Sequence, residues 1–118
     1  MRTNDVTHNI KWTDGEKKVA RAAFDAALSR ETTAVRRKVE EMLESSEEPR
    51  QVWEILAYLT AKQEEMDRKY DYRYSVLMDV FGQLLSEGWL CEAELAKLHP
   101  DKLDIIRRIG AVAGRDDG

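Results

Sequence analysis

Side chains that could do chemistry are few in this 118-residue chain, and none stands in a constellation that a reaction requires. The histidines are His8 and His99, and the one cysteine is Cys91. A metal centre needs several converging nitrogen, thiolate or carboxylate ligands, and neither histidine has such neighbours in sequence. His8 sits in a polar N-terminal stretch and reads as solvated. His99 precedes Pro100 at a helix start, where capping or exposure accounts for it. Cys91 follows Trp89 and Leu90 and is expected to be a packed thiol, since a reactive thiolate needs exposure and a basic neighbour. Glu64 and Glu65 suggest a carboxylate pair, but consecutive helical positions point apart. Ser45 and Ser46 read as helix-end residues. No Gly-rich phosphate loop, CxxC or HExxH is present. The reading is of a non-enzyme with no catalytic residue, no cofactor and no metal.

Composition agrees with that reading. Charged residues are 36% and apolar residues 42% of the chain, and only 2 Pro and 6 Gly interrupt it, which favours long helices. The net charge of -4 argues against nucleic acid, whose phosphates require a basic face. A single cysteine forbids an intrachain disulfide and points to a reducing compartment. The first eleven residues lack the apolar core of a signal peptide, and no run approaches a membrane span. Cytoplasmic localisation, with no membrane partner, is the expectation.

Two features could carry binding. Asp67 to Tyr74 alternates charge among tyrosines, Asp67-Arg68-Lys69-Tyr70-Asp71-Tyr72-Arg73-Tyr74, between two apolar helical segments. Buried segments on both sides need a satisfied polar junction, so Asp67, Lys69, Tyr70, Asp71 and Arg73 read as a structural hinge. Trp53, in the first turn of a helix beside a chain break, reads equally as core or as an interface anchor, tryptophan being enriched at binding hot spots.

The elements that position these residues are all helical. Trp12-Thr13-Asp14-Gly15-Glu16 is a helix start, with Thr13 and Glu16 forming a capping box. The first helix runs to about Ser45, its apolar stripe of Val19, Ala20, Ala23, Phe24, Ala27, Leu28, Val35, Val39, Met42 and Leu43 thin across Arg30 to Thr33. A helix of about 30 residues is about 45 Å long, longer than a small domain is wide. Its stripe therefore needs a second surface. Lys17, Lys18 and Arg21 near the start and Glu40, Glu41 and Glu44 near the end both oppose the helix dipole. In an antiparallel homodimer centred near Glu31 they become complementary, Lys18 facing Glu44, Arg21 facing Glu41, and Asp25 facing Arg37. Dimerisation is thus assigned to Lys18, Arg21, Leu28, Val35, Glu41 and Glu44. Packing of this helix on the second helix of its own chain is the alternative.

Pro49 opens a second helix to about Tyr70. A third runs from about Ser75 to Ser86 with Gly88 as its stop, a short helix covers Glu92 to Lys97, and Pro100 opens the last, with the tail from Gly110 frayed. The fold expected is all-α: a long N-terminal helix, the dimerising stalk, followed by a small helical bundle head. The domains read as a flexible tail (1–11), an extended helical arm (12–48), a helical domain (49–110) and a second flexible tail (111–118).

The ordered string Lys69-Tyr70-Asp71-x-Arg73-x-Ser75-Val76, followed by an apolar helix ending Leu84-Leu85-x-Glu87-Gly88, resembles the fluorescence recovery protein family of cyanobacterial photoprotection. The resemblance extends from Trp12, Thr13, Glu16 and Phe24 through Trp53, Leu59, Ala61-Lys62, Asp67, Val80-Phe81, Gln83, Glu94-Leu95 and Asp101-Lys102. It implies a non-enzymatic all-α homodimer that binds the light-activated orange carotenoid protein and speeds its return to the resting form, a population shift. It implies a partner-binding surface on the second helix, at Trp53, Leu56, Ala57, Lys62 and Gln63. Trp53 matches the family tryptophan. The histidine, aspartate and arginine that follow it in the family are Leu56, Ala57 and Gln63 here, an aromatic of the third helix is Asp79, and a lysine near the C-terminus is Ile105. The alternative is a helical dimer of the same framework with a different protein partner, as adaptor or local chaperone.

Overall fold

A computed structural model describes residues 11–117 as an elongated molecule of 59 × 27 × 22 Å. Helix α1 (Asp14–Glu44) is followed by a single turn (Pro49–Gln51), α2 (Val52–Lys69), α3 (Leu77–Glu87), a short turn (Glu92–Leu95) and α4 (Pro100–Asp117). No strand occurs among the described residues.

Local chemistry sets most boundaries. Thr13 Oγ1 accepts from the Glu16 amide at 3.1 Å, and Glu16 Oε1 accepts from the Thr13 amide at 3.0 Å, the expected capping box. At the far end, Gln51 Oε1 accepts from the amides of Glu47 and Glu48 and holds the turn that reverses the chain into α2. Gly88 ends α3 with φ at 83°, a left-handed conformation that a Cβ would strain. His99 caps α4, its Nδ1 accepting from the Asp101 amide at 3.1 Å.

Two bodies share α1. Its first half carries Ala20, Ala23, Phe24 and Ala27 into one core with Leu77, Met78, Phe81 and Leu84 of α3, Leu90, Leu95 and Leu98 of the connections, and Ile106 of α4. The alanines let the α1 backbone approach the Glu92–Leu95 turn, and α3 supplies the bulk of the core. Gly82 does the same for α4, since a Cβ there would meet Ile109 Cγ2 at 2.4 Å. A buried ion pair ties the ends of this head together: Lys102 Nζ donates to Glu16 at 3.0 Å and to the Lys11 carbonyl at 2.7 Å. Burial opposes ionisation of Glu16, but the Thr13 and His99 amides and Lys102 outweigh it and take its pKa down to about 2.

The second half of α1 lies outside that core and pairs with α2 as a helical hairpin, the stalk. Helix α2 buries only Ile55. Three expectations need correction. The second helix belongs to the stalk and the start of the first belongs to the head, so the head is not confined to residues after Pro49. Helix α4 runs through Asp117, past Gly110, because Gly110 is not a stop but a close-approach point against the Gly82 carbonyl. Cys91 is exposed rather than packed, because it begins the turn at Glu92–Leu95 and points toward the carboxylate of Glu94. The tail 1–10, with His8, lies outside the described residues.

Candidate functional site

The stalk hairpin presents an apolar groove of about 620 Å³ between α1 and α2. Phe24, Leu28, Thr32 and Val35 form its α1 wall, one face of that helix. Leu56, Leu59, Thr60, Lys62, Gln63, Met66, Asp67 and Tyr70 form the α2 wall. Outside the groove lining, Leu43, Val52 and Trp53 are exposed toward the stalk tip, and Leu56 of the groove wall is exposed as well. Trp53 is 68% exposed and Leu56 53%, values that belong to interface side chains rather than to core.

The residues singled out from sequence fall into an unexpected grouping. Leu28 and Val35, assigned to dimerisation, share the groove with Leu56, Lys62 and Gln63, assigned to partner binding. Trp53 and Ala57 are exposed on α2 and do not line the groove, and Lys18, Arg21, Glu41 and Glu44 are exposed along α1. The hinge residues divide as well. Asp71 and Arg73 bond each other at the surface, Arg73 Nε donating to Asp71 Oδ1 at 2.8 Å. Asp67 is exposed at the groove. Lys69 and Tyr70 turn inward.

What Lys69 and Tyr70 meet is Glu31, which is 1% exposed. Its carboxylate accepts from Lys69 Nζ at 2.7 Å, Lys62 Nζ at 3.0 Å and the Tyr70 hydroxyl at 2.8 Å. Lys69 also bonds Glu87 at 2.7 Å, and Glu87 accepts from Trp89 Nε1 at 3.1 Å and Gln83 Nε2 at 2.6 Å. One network therefore joins both stalk helices to the end of α3. Burial pushes the Glu31 carboxyl up, yet the bonds from Lys69, Lys62 and Tyr70 outweigh it and hold its pKa below the usual value. Burial, and then Glu31, push the Tyr70 hydroxyl far above its ordinary value, so it stays a donor. Arg30 adds a second clasp, a two-pronged pair with Glu94 at 2.8 Å for each prong and a bond to the Trp89 carbonyl at 2.9 Å. The Arg30 bonds take the Glu94 pKa down to about 2.

Glu31, Glu87 and Arg30 were not singled out from sequence. The signal was present: the α1 stripe thins across Arg30 to Thr33, and Glu31 occupies the stripe position one turn after Ala27. A carboxylate there marks a core position awaiting cations, which only the return of α2 supplies.

Among the described residues no three His, Cys, Asp or Glu side chains converge for a metal ion. Among the described residues no helix is long and apolar enough to cross a membrane. Of the positions at which the sequence departs from its resemblance, Leu56, Ala57, Gln63 and Asp79 are exposed, whereas Ile105 is half-buried against the head core.

Residues 12–110 match the family described as photoprotection regulator fluorescence recovery protein. The chain is 34% identical to the fluorescence recovery protein of Synechocystis sp. over 103 residues, 87% of this chain and 94% of that protein. The solved structure of the Fremyella diplosiphon fluorescence recovery protein is 40% identical, with a TM-score of 0.80 over 86% of this chain and 99% of that one. The Synechocystis structure is 34% identical with a TM-score of 0.81 and the same coverage. The Trp12–Gly110 framework, with its long capped helix, stalk hairpin and α3–α4 head, places the chain in the fluorescence recovery protein family of photoprotection regulators.

Proposed function

We propose that the chain acts as a non-enzymatic homodimer that binds the photoactivated orange carotenoid protein and accelerates its return to the resting state. The observation that carries this reading is the open apolar face of the stalk, with Trp53 exposed on the same helix as its α2 wall, on a framework of the family. An apolar groove of this size calls for a covering surface. A second copy supplies one: Leu28 and Val35 lie symmetrically about a point between Glu31 and Thr32, within a residue of the centre drawn from the charge pattern. Thr32 faces the groove while Glu31 is held by α2 of its own chain, so the two-fold axis passes beside Thr32. Lys18 with Glu44 and Arg21 with Glu41 then oppose one another across the axis.

Leu56, Ala57 and Gln63 favour a second reading, a stalk dimer that serves another protein partner as adaptor or chaperone. Those exposed positions carry no charge here, whereas the family resemblance implies charged contacts, each worth a few kcal/mol at an interface. One experiment separates the readings. The protein is mixed with photoactivated orange carotenoid protein, and the red-to-orange relaxation is followed beside size-exclusion chromatography. A faster relaxation and a co-eluting complex support the first reading; an unchanged rate with no complex rejects it. The dimer is tested by light scattering at micromolar concentration, with Val35→Glu expected to give the monomer mass. A monomeric wild type rejects the dimer.

A further inference from the structure

On the same face of α1 as the groove, at the head end, lies a cluster of cations and aromatic rings. The Arg21 guanidinium stacks 4.0 Å from the Tyr72 ring centroid, and Lys17 Nζ lies 5.4 Å from that of Tyr74. Tyr72 and Tyr74 pack edge to face at 5.6 Å. Arg21 spends one donor on the exposed Asp25, at 3.5 Å. The Tyr72 hydroxyl is buried and has no hydrogen-bond partner among the described residues. An arginine stacked on one tyrosine, with the exposed ring of a second beside it, has the composition of a binding hot spot. The tryptophan that would complete it, Trp53, is at the other end of the stalk.

We infer that Trp53 of one copy and the Arg21–Tyr72–Tyr74 cluster of the other form one composite surface for the protein partner. The inference rests on the antiparallel dimer proposed above. Glu31 lies level with Lys62 and Lys69, so counting back along the hairpin sets Trp53 level with Leu43. Within one chain that leaves roughly 33 Å between Trp53 and Arg21. Inversion of α1 about the point between Leu28 and Val35 carries Leu43 onto Ala20 and Arg21 of the second copy. Trp53 then arrives beside the cluster, and Glu41 and Glu44 arrive opposite its cations. Each dimer carries two such surfaces. The fitting partner is a protein segment with an apolar side chain for the Trp53, Tyr72 and Tyr74 rings, since Glu41 and Glu44 of the second copy already answer the cations.

Shared surfaces are tested by complementation. Trp53→Ala and Tyr74→Ala homodimers, each checked as dimeric by light scattering, are each expected to lose binding of photoactivated orange carotenoid protein, used as the probe. After subunit exchange both lesions of a heterodimer fall on one surface and leave the other whole, so the mixture recovers about a quarter of the wild-type sites. A mixture that binds no better than its two components overturns the inference. A second measurement is independent of the probe. In a Cys91→Ser background, Trp53→Cys and Tyr74→Cys chains are oxidised separately and mixed; covalent dimers are expected in the mixture alone. Their absence from a chain that light scattering finds dimeric overturns the inference and leaves the dimer standing. A wild type that ignores the carotenoid protein rejects that partner, and the crosslink then decides the juxtaposition.

Discussion

Glu31→Gln is the most informative single change, because it keeps the size of a buried side chain and removes the charge on which the stalk–head junction depends. The wild-type carboxylate holds three donors, from Lys69, Lys62 and Tyr70. Each hydrogen bond to a charged group contributes about 1.5–3 kcal/mol, but the losses do not add in full. Lys69 keeps Glu87 at 2.7 Å, and Lys62 keeps Glu65 at 3.2 Å and reaches water. The amide oxygen of the new glutamine still accepts one bond. The net expectation is about 2–3 kcal/mol, below the 3–5 kcal/mol of a fully orphaned buried ion. For a domain of this size that corresponds to a fall in Tm of roughly 6–12 °C. Urea and thermal unfolding by circular dichroism at fixed protein concentration measure it. Lys69→Met alone is expected to cost as much, and the double variant less than the sum, since removing both partners leaves fewer buried charges uncompensated. A Glu31→Gln protein within 0.5 kcal/mol of wild type, or strictly additive double-variant losses, would refute the assignment of the junction to this network.

Acid is the second perturbation. Glu16 and Glu94 have folded pKa values lowered from 4.5 to about 2, so the unfolded chain takes up their protons first as pH falls. Their contribution to stability is full above about pH 4.5 and is lost progressively toward pH 2; Lys102→Met is expected to flatten this acid slope in urea titrations. Gly82→Ala forces a Cβ against Ile109 at 2.4 Å and is expected to cost about 1–3 kcal/mol, whereas Gly114→Ala, with open space around it, is neutral or stabilising in the same melt. Trp53→Ala is expected to leave the unfolding midpoint within about 0.5 kcal/mol of wild type, since the ring is 68% exposed, while abolishing partner binding in pull-down.

Much of the architecture was legible because it is written in local chemistry. The capping box at Thr13 and Glu16, Pro100 at the start of α4 and the left-handed stop at Gly88 act over a few residues, and the structure places each where the sequence does, whereas Pro49 opens a single turn that precedes α2 at Val52. The all-α class followed from the same signals. The candidate site was legible only in pieces. Leu28, Val35, Leu56 and Gln63 were each marked, yet assigned to two surfaces, because sequence spacing reports which residues share a helix face and not which helix faces meet. Cys91 was misread because two apolar predecessors do not fix the direction of the third side chain where the chain leaves the core.

By itself, then, the sequence determined the helices, their caps, the long stalk and, through the string from Lys69 to Val76, the family. Only the tertiary structure decided that α1 serves two bodies at once, that α2 belongs to the stalk, and that the hinge separates into a surface pair and a buried clasp on Glu31. The physical reason is range. Caps and periodicity are satisfied within a turn or two of helix, whereas a buried carboxylate is satisfied by cations some thirty to forty residues along the chain.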